Sequence, residues 1–346
     1  MLKAVKYKFS EVPQQYWDFV HKHGTIYQSK PYLDCLVASG KELVIIGVFE
    51  DDEPIGGAGV TLGRKILNFP INTKTYFGPV VQDTQKAASV LKCIADAIKT
   101  MSLRFSVIVL PEHAEVFAES PELSNWHKRE IEFIHWDISG QMETFWKNLP
   151  KGKKAAVNRA KREGVIIQEI KTKEQVSQFY KLYSMSMVRG GLTPEPLVYC
   201  ENLIEMLRPQ DLAGGFLALH PQTKQPIATV MLLLGRDGIA TYLQVGHDYE
   251  YRNLGATDFL MWRCLEYLKS KGVTIFDLVG LPKGDSARAK GIRHFKTAWA
   301  GVNDHRYPSF VLTRGNFGLN PQLVGKVSVF SRKVIELISS CFGSKP

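Results

Sequence analysis

The sequence predicts an α/β protein built from two copies of one domain. Three landmarks recur in the same order at nearly one offset. A strand–turn–strand unit at 42–62 returns at 214–234, with Pro54–Ile55 matched by Pro226–Ile227, 172 residues on. A helical stretch with Cys93 returns with Cys264, 171 residues on. A short apolar strand ending in Leu-Pro at Pro111 returns at Pro282, again 171 residues on.

Each element has a physical reason. In ELVIIGVFEDDEPIGGAGVTL and GGFLALHPQTKQPIATVMLLL, two β-rich runs flank a polar turn, and proline opens the second run. Residues 84–101 and 256–270 place apolar side chains at helical spacing. FSVIVLP and TIFDLVGLP are short apolar strands. A period this long excludes a solenoid and points to duplication of a whole domain. The second half opens near Glu143 with a basic helix from Lys151 to Glu163. Gly164 ends it, and the strand VIIQEI and a helix from Lys173 to Met187 follow. The expected domains are therefore 1–142 and 143–317. A tail at 318–346 carries Leu323, Val327, Leu337 and Ile338 on one helical face. It is expected to dock on the first domain. The alternative is a peripheral membrane contact, with Lys326, Arg332 and Lys333 beside that face.

The 346 residues are 45% hydrophobic and 23% charged, which excludes extended disorder and fibrous classes. A net charge of +10 favours anionic partners such as RNA, nucleotide phosphates or a lipid headgroup surface. The five cysteines are dispersed and odd in number, which argues against a disulfide framework or structural zinc and fits a reducing cytoplasm. The opening MLKAVKYKFSEVPQQYW has no apolar core of a signal peptide, and the longest apolar runs fall far short of a membrane span. His21 and His23 lack a third ligand, so no metal is expected. A monomer is expected.

Three stretches carry possible chemistry. In HDYEYRNLGATDFL, residues 247–260, a strand leads through Arg252, Gly255 and Thr257 into a helix start. Free N–H groups there favour an anion, although glycine at a helix start also serves tight packing. The spacing resembles the R/Q-x-x-G-x-G/A loop that grips the pyrophosphate of acetyl-CoA in GNAT acyltransferases, with Thr257 at the third small position. In GIRHFKTAWAG, residues 291–301, the Lys296 ammonium could stabilise a developing oxyanion. Phe295 could stack on a base; Phe295 and Trp299 read equally as core anchors. Asp277, in FDLVG, could orient an amine or cap the following loop. In KNLPKGKKAAVNRAKREG, residues 147–164, seven Lys/Arg face one Glu. Lys153, Lys154 and Arg159 suit salt-sensitive phosphate contacts, or a solvated helix face.

Together, WDISGQMETFWKNLPKGKKAAVNRAKREGV, FYKLYSMSMVRGGL, PIATVMLLLGRDGIATYLQVG and FDLVGL…GIRHFKTAWAG resemble the FemABX family over most of residues 130–310. These are tandem-GNAT-fold aminoacyltransferases that build peptidoglycan cross-bridges. The resemblance implies two GNAT-like acyl-CoA N-acyltransferase domains, each a mixed, mostly antiparallel sheet flanked by helices. It also implies transfer of an aminoacyl group from aminoacyl-tRNA to an amine of a cell-envelope precursor, with no permanently bound cofactor. It places Lys296 at the oxyanion and Phe295 on the terminal adenine of the tRNA. Tyr242 would line the acceptor channel, and Arg189 and Tyr199 would contact the acceptor. The chain departs from the pattern with Leu110–Pro111 in place of Asp-Pro, with Tyr32 in place of Trp, and in lacking a coiled-coil insertion. Relatives with the same pattern use acyl-CoA or an acyl carrier as donor, which the Arg252–Thr257 loop would suit. A non-catalytic RNA- or envelope-binding scaffold is the third alternative.

Overall fold

A computed structural model describes residues 1–315 apart from 64, 67–68, 100, 103, 110–113 and 302–303. The tail expected at 318–346 and the Leu-Pro landmark at Pro111 lie outside the described residues. Among the described residues, no helix is long and apolar enough to cross a membrane.

From the N-terminus the chain runs β1 (Lys3–Lys8), α1 (Gln14–His23), α2 (Lys30–Ala38), β2 (Leu43–Glu50) and β3 (Glu53–Leu62). The small strands β4 (Lys65–Ile66) and β5 (Phe69–Pro70) precede β6 (Asn72–Gly78), β7 (Val80–Val81), α3 (Ala87–Ile98) and β8 (Arg104–Val109). A short α4 (Ala114–Glu119) leads to β9 (His127–Asp137), α5 (Met142–Asn148) and the basic α6 (Lys151–Arg162). Then come β10 (Ile166–Glu169), α7 (Lys173–Arg189), α8 (Leu197–Asn202), β11 (Ala213–Leu219), β12 (Pro226–Leu234) and β13 (Ile239–His247). The last elements are α9 (Ala256–Ser270), β14 (Ile275–Gly280), α10 (Ala287–Ala300) and β15 (Asp304–Gly315).

The chain forms two compact units with one strand order. In the first, β1, β2, β3 and β6 form an antiparallel meander, β8 joins parallel to β6, and β15 closes antiparallel on β8. In the second, β10, β11, β12 and β13 form the meander, β14 joins parallel to β13, and β9 closes antiparallel on β14. The duplication read from three landmarks is therefore a duplication of sheet order. Each unit buries its own core. In the first, Val90, Leu91, Ile94 and Ile98 line one stripe of α3, buried with Ile46, Val60 and Val107. In the second, Trp136, Phe276, Leu260 and Trp299 are among the buried cluster, and Trp136 stacks on Phe276 at 6.3 Å.

The units differ from a division at 142/143. Trp17–Lys41 and the chain from Ile131 to Ser309 belong to the second unit, and β15 from Phe310 belongs to the first. The reason is side-chain pairing. The Tyr32 and Tyr199 hydroxyls share a hydrogen bond of 3.2 Å, Asn202 donates to Ser39 at 2.9 Å, and Lys41 pairs with Glu195 at 2.9 Å. The closing strand of each sheet is exchanged as well. β9 follows β8 in sequence yet closes the second sheet, and β15 follows β14 yet closes the first.

In the second unit α7 packs on β12 and β13, α9 on β11 and β12, and α6 on α9. A capping box, Thr172 with Gln175, starts α7. The helix lies close to β13 because residue 246 is glycine: a Cβ there would stand 2.5 Å from the Leu182 carbonyl carbon and the Tyr183 nitrogen. Gly246→Ala must push α7 off the sheet. The expected loss is about 1–3 kcal/mol, measured by urea unfolding.

Candidate active site

The site begins where two strands part. β13 and β14 pair only at Ile239–Thr241 opposite Ile275–Asp277, although β13 continues to His247 and β14 to Gly280. Each strand bends at an irregularity. The β12–β13 register shifts between Met231 and Leu232 of β12, so Leu243 on β13 has no opposite residue. On β14 the ladder with β9 shifts between Asp277 and Gly280, and Val279 takes φ +56°. That region is costly for a β-branched residue and marks stored strain. The parting leaves a cleft with Asp277, the last paired residue, at its apex.

Two opposite charges are buried around this apex. Asp277 is 4% exposed and Lys296 7%. The Val279 N–H donates to Asp277 Oδ1 at 2.7 Å, and Lys296 Nζ donates to the Gly280 carbonyl at 2.9 Å. Lys296 rides on α10, whose start is fixed by Ser286 Oγ accepting from the Ala289 N–H. Burial pushes the Asp277 carboxyl up to about 7, opposed by the Val279 hydrogen bond and the nearby ammonium. Burial lowers Lys296 to about 8, opposed by the Asp277 charge. His135 is directly opposite Asp277 in the ladder, with Nε2 3.9 Å from Oδ1. Burial lowers it to about 4, so it is neutral near pH 7. Tyr27 donates to Thr241 Oγ1 at 3.1 Å, and Thr241 is the residue paired with Asp277. Preorganised charge of this kind can stabilise an oxyanion and take a proton from an attacking amine.

Of the residues expected from sequence, Lys296 and Asp277 come together, whereas Tyr242, one residue past the partner of Asp277, points to the opposite face of the sheet. Tyr242 is buried on β13 with its ring edge-on to Phe276 at 5.9 Å. Phe295 and Lys153 also meet: the ammonium lies 4.4 Å from the ring centroid. Lys153 and the Trp299 indole both donate to Asp258 Oδ1, at 2.8 and 2.9 Å. Phe295 and Trp299 thus pack as core anchors too. Lys154 turns back to the Lys147 carbonyl at 2.7 Å, and Arg159 is exposed. Tyr199 is buried against Tyr32. Arg189 is exposed and donates to the His247 carbonyl and to Ser186 Oγ, each at 3.2 Å.

The Arg252–Thr257 turn is built for packing. Gly255 has φ +72° and is buried, and a Cβ there would stand 2.9 Å from the Ala156 carbonyl carbon of α6. Arg252 donates to the Tyr249 carbonyl of its own turn at 3.1 Å and lies over the Tyr249 ring at 4.3 Å. Thr257 is half-buried, and Asp258 supplies the acidic group of the first turn of α9. Sequence reasoning missed Tyr27, Thr241, His135 and Asp258. Tyr27 and His135 lie outside the sequence motifs, and Thr241 and Asp258 lie inside them without a signal of their own; strand pairing places Thr241 and His135, and side-chain hydrogen bonds place Tyr27 and Asp258.

The buried charges have a stability signature. The folded pKa of Asp277 lies above its ordinary value of 3.8, at about 7. A raised carboxyl favours the fold below the ordinary pKa, and that favour is lost as pH rises to the folded value. Asp277→Asn keeps the acceptor for Val279 N–H and removes the charge. It is expected to leave stability unchanged near pH 4 and to raise it by on the order of 3 kcal/mol above pH 7, measured by thermal unfolding across pH.

Residues 151–297 match the family model described as an acetyltransferase (GNAT) domain. No curated protein sequence matches the chain. Among solved structures, the crystal structure of FemX is similar at TM-score 0.65 and 15% identity, covering 88% of this chain and 96% of that one. A tandem GNAT protein from the clavulanic acid biosynthesis pathway is similar at TM-score 0.58 and 13% identity, covering 92% and 100%. L-PGS from Bacillus licheniformis is similar at TM-score 0.57 and 15% identity, covering 91% and 96%. With the repeated sheet order, these likenesses show that the chain has a tandem GNAT fold.

Proposed function

We propose that the protein transfers an aminoacyl group from aminoacyl-tRNA to a primary amine of a peptidoglycan or other cell-envelope precursor, and that it works in the cytoplasm. The amine nitrogen attacks the ester carbonyl, and a C–N bond forms as negative charge builds on the carbonyl oxygen. The Lys296 ammonium stabilises that oxygen. The Asp277 carboxylate takes a proton from the amine and returns it to the departing ribose oxygen as the C–O bond breaks. The products are an amide and a free ribose hydroxyl. Phe295 and the Lys153 ammonium hold the tRNA end, with Lys154 and Arg159 of α6 on its phosphates. Tyr242, Tyr199 and Arg189 orient the acceptor.

The observation that carries the choice of donor is the packing at the start of α9. An acyl-CoA pyrophosphate would need the free N–H groups there. It would meet the Ala156 backbone against Gly255 and the Asp258 carboxylate in the first turn, while Arg252 is folded onto its own turn. The second reading, acyl-CoA-dependent N-acylation, is favoured by the acetyltransferase family match over 151–297.

Binding of charged tRNA and of acetyl-CoA, side by side at two salt concentrations, separates them. Salt-sensitive binding that prefers charged over uncharged tRNA is expected, with no binding of acetyl-CoA. Tight CoA binding with weak, unselective tRNA binding would move the assignment to the second reading, and tRNA binding without amide formation would leave a scaffold.

The rate should rise as Asp277 ionises through about pH 7 and fall as Lys296 loses its proton through about pH 8. Lys296→Met is expected to lower kcat by roughly 100-fold or more. Lys296→Arg keeps its charge and should retain measurable rate above pH 8, so its alkaline limb should disappear.

A further inference from the structure

Several of the exposed large apolar side chains lie beside the cleft. Met185 is 44% exposed, Val188 66%, Leu192 48% and Tyr249 57%. Scattered apolar exposure is ordinary, but a contiguous patch rimmed by charge marks an interaction site. Hydrogen bonds between the end of α7 and the end of β13 bring these residues into one region of the surface. Lys181, Met185 and Val188 lie at i, i+4 and i+7 on α7, and Leu192 follows the end of the helix. Ser186 accepts from the His247 N–H at 3.0 Å, tying the end of α7 to the end of β13. Tyr249 stands two residues farther on, under the Arg252 guanidinium.

The rim is cationic. Arg189, Arg252, Arg288 and Lys181 are all exposed. Arg288 is laid against the end of α7 by Gly190, where a Cβ would fall 2.5 Å from Nη2 and 2.6 Å from Cζ. Three guanidiniums therefore lie in the region of the four apolar side chains, at the end of α7, at His247 and over Tyr249. Glu250 beside Tyr249 and Asp285 near Arg288 are the exposed acidic residues closest in sequence; Asp285 is paired with Lys290 at 3.6 Å, and the balance stays positive.

We propose that this surface docks the protein on an anionic phospholipid bilayer. Met185, Val188 and Leu192 enter the headgroup–acyl boundary, Tyr249 sits at headgroup level, and the arginines meet lipid phosphates. A purely apolar partner would leave those guanidiniums unanswered, and a nucleic acid would leave the apolar side chains unanswered. An anionic lipid surface answers both. His247 is the end of β13 at which the cleft is open, so docking turns the cleft mouth toward the bilayer. This goes beyond the transferase reading and does not depend on it.

The test is co-sedimentation of the whole protein with phosphatidylcholine vesicles and with vesicles that also contain phosphatidylglycerol, with no donor or acceptor present. Binding is expected only to the anionic vesicles and should weaken as salt rises. The triple variant Met185→Ser, Val188→Ser, Leu192→Ser should lose at least tenfold in vesicle affinity while melting like the parent. Arg252→Glu with Arg288→Glu should abolish the preference for anionic lipid. Val188→Trp should shift its fluorescence to the blue on adding anionic vesicles. No binding by the parent, equal binding to neutral and anionic vesicles, or full binding by the triple variant would overturn the proposal. The last result would transfer lipid binding to another segment, such as 318–346. Because the readout is vesicle binding, failure of the transferase reading leaves it unaffected.

Discussion

The second unit is organised around one constraint: β13 and β14 must run parallel for three residue pairs and then separate. An unbroken parallel pair would close its own ladder and leave no room at Asp277. The separation is made by a surplus residue on one strand, Leu243, and a left-handed residue on the other, Val279. Both are locally unfavourable, and the surrounding core holds them. Trp136, Phe276 and Trp299 pack beneath the parting, so strain at the cleft is supported by a large aromatic cluster. The same core supplies the low-dielectric surroundings that move Asp277 and Lys296 toward each other in pKa.

That arrangement trades stability for reactivity. At neutral pH a buried carboxylate and a buried ammonium each lose hydration, and each recovers part of it from one backbone group. The pair is least favourable to the fold in the pH range where both are charged, which is the range in which a proton acceptor and an oxyanion stabiliser are needed together. His135 lies beside the carboxylate but stays neutral, so it adds no competing charge.

Much of this was legible in the sequence, for identifiable reasons. The repeated landmarks exposed the duplication because hydrophobic period, turn chemistry and proline placement are local properties. Lys296 and Asp277 stood out because each lies in a compact motif at the end of an element. The exchange of β9 and β15 was hidden, since nothing local tells a strand which sheet it will join. Thr241 and His135 were hidden for the same reason, and Tyr27 because nothing local tells the turn at 26–28 which side chain it will meet. The glycine turn at Arg252–Thr257 shows the opposite failure. A close-approach glycine is equally suited to a phosphate and to a neighbouring backbone, and only the position of Ala156 distinguishes the two.

The crossed closing strands bear on how such a chain can change. Because each sheet is finished by the segment that trails the other, neither repeat is encoded by an unbroken stretch of sequence. Cutting the chain between the repeats would leave each half with a foreign closing strand and without its own. An exposed β14 or β8 edge would then be a template for pairing with other chains. The repeats are thereby bound to a common fate: one cannot be shed, swapped for a homologous module or allowed to drift in strand length without the other's sheet being altered in step.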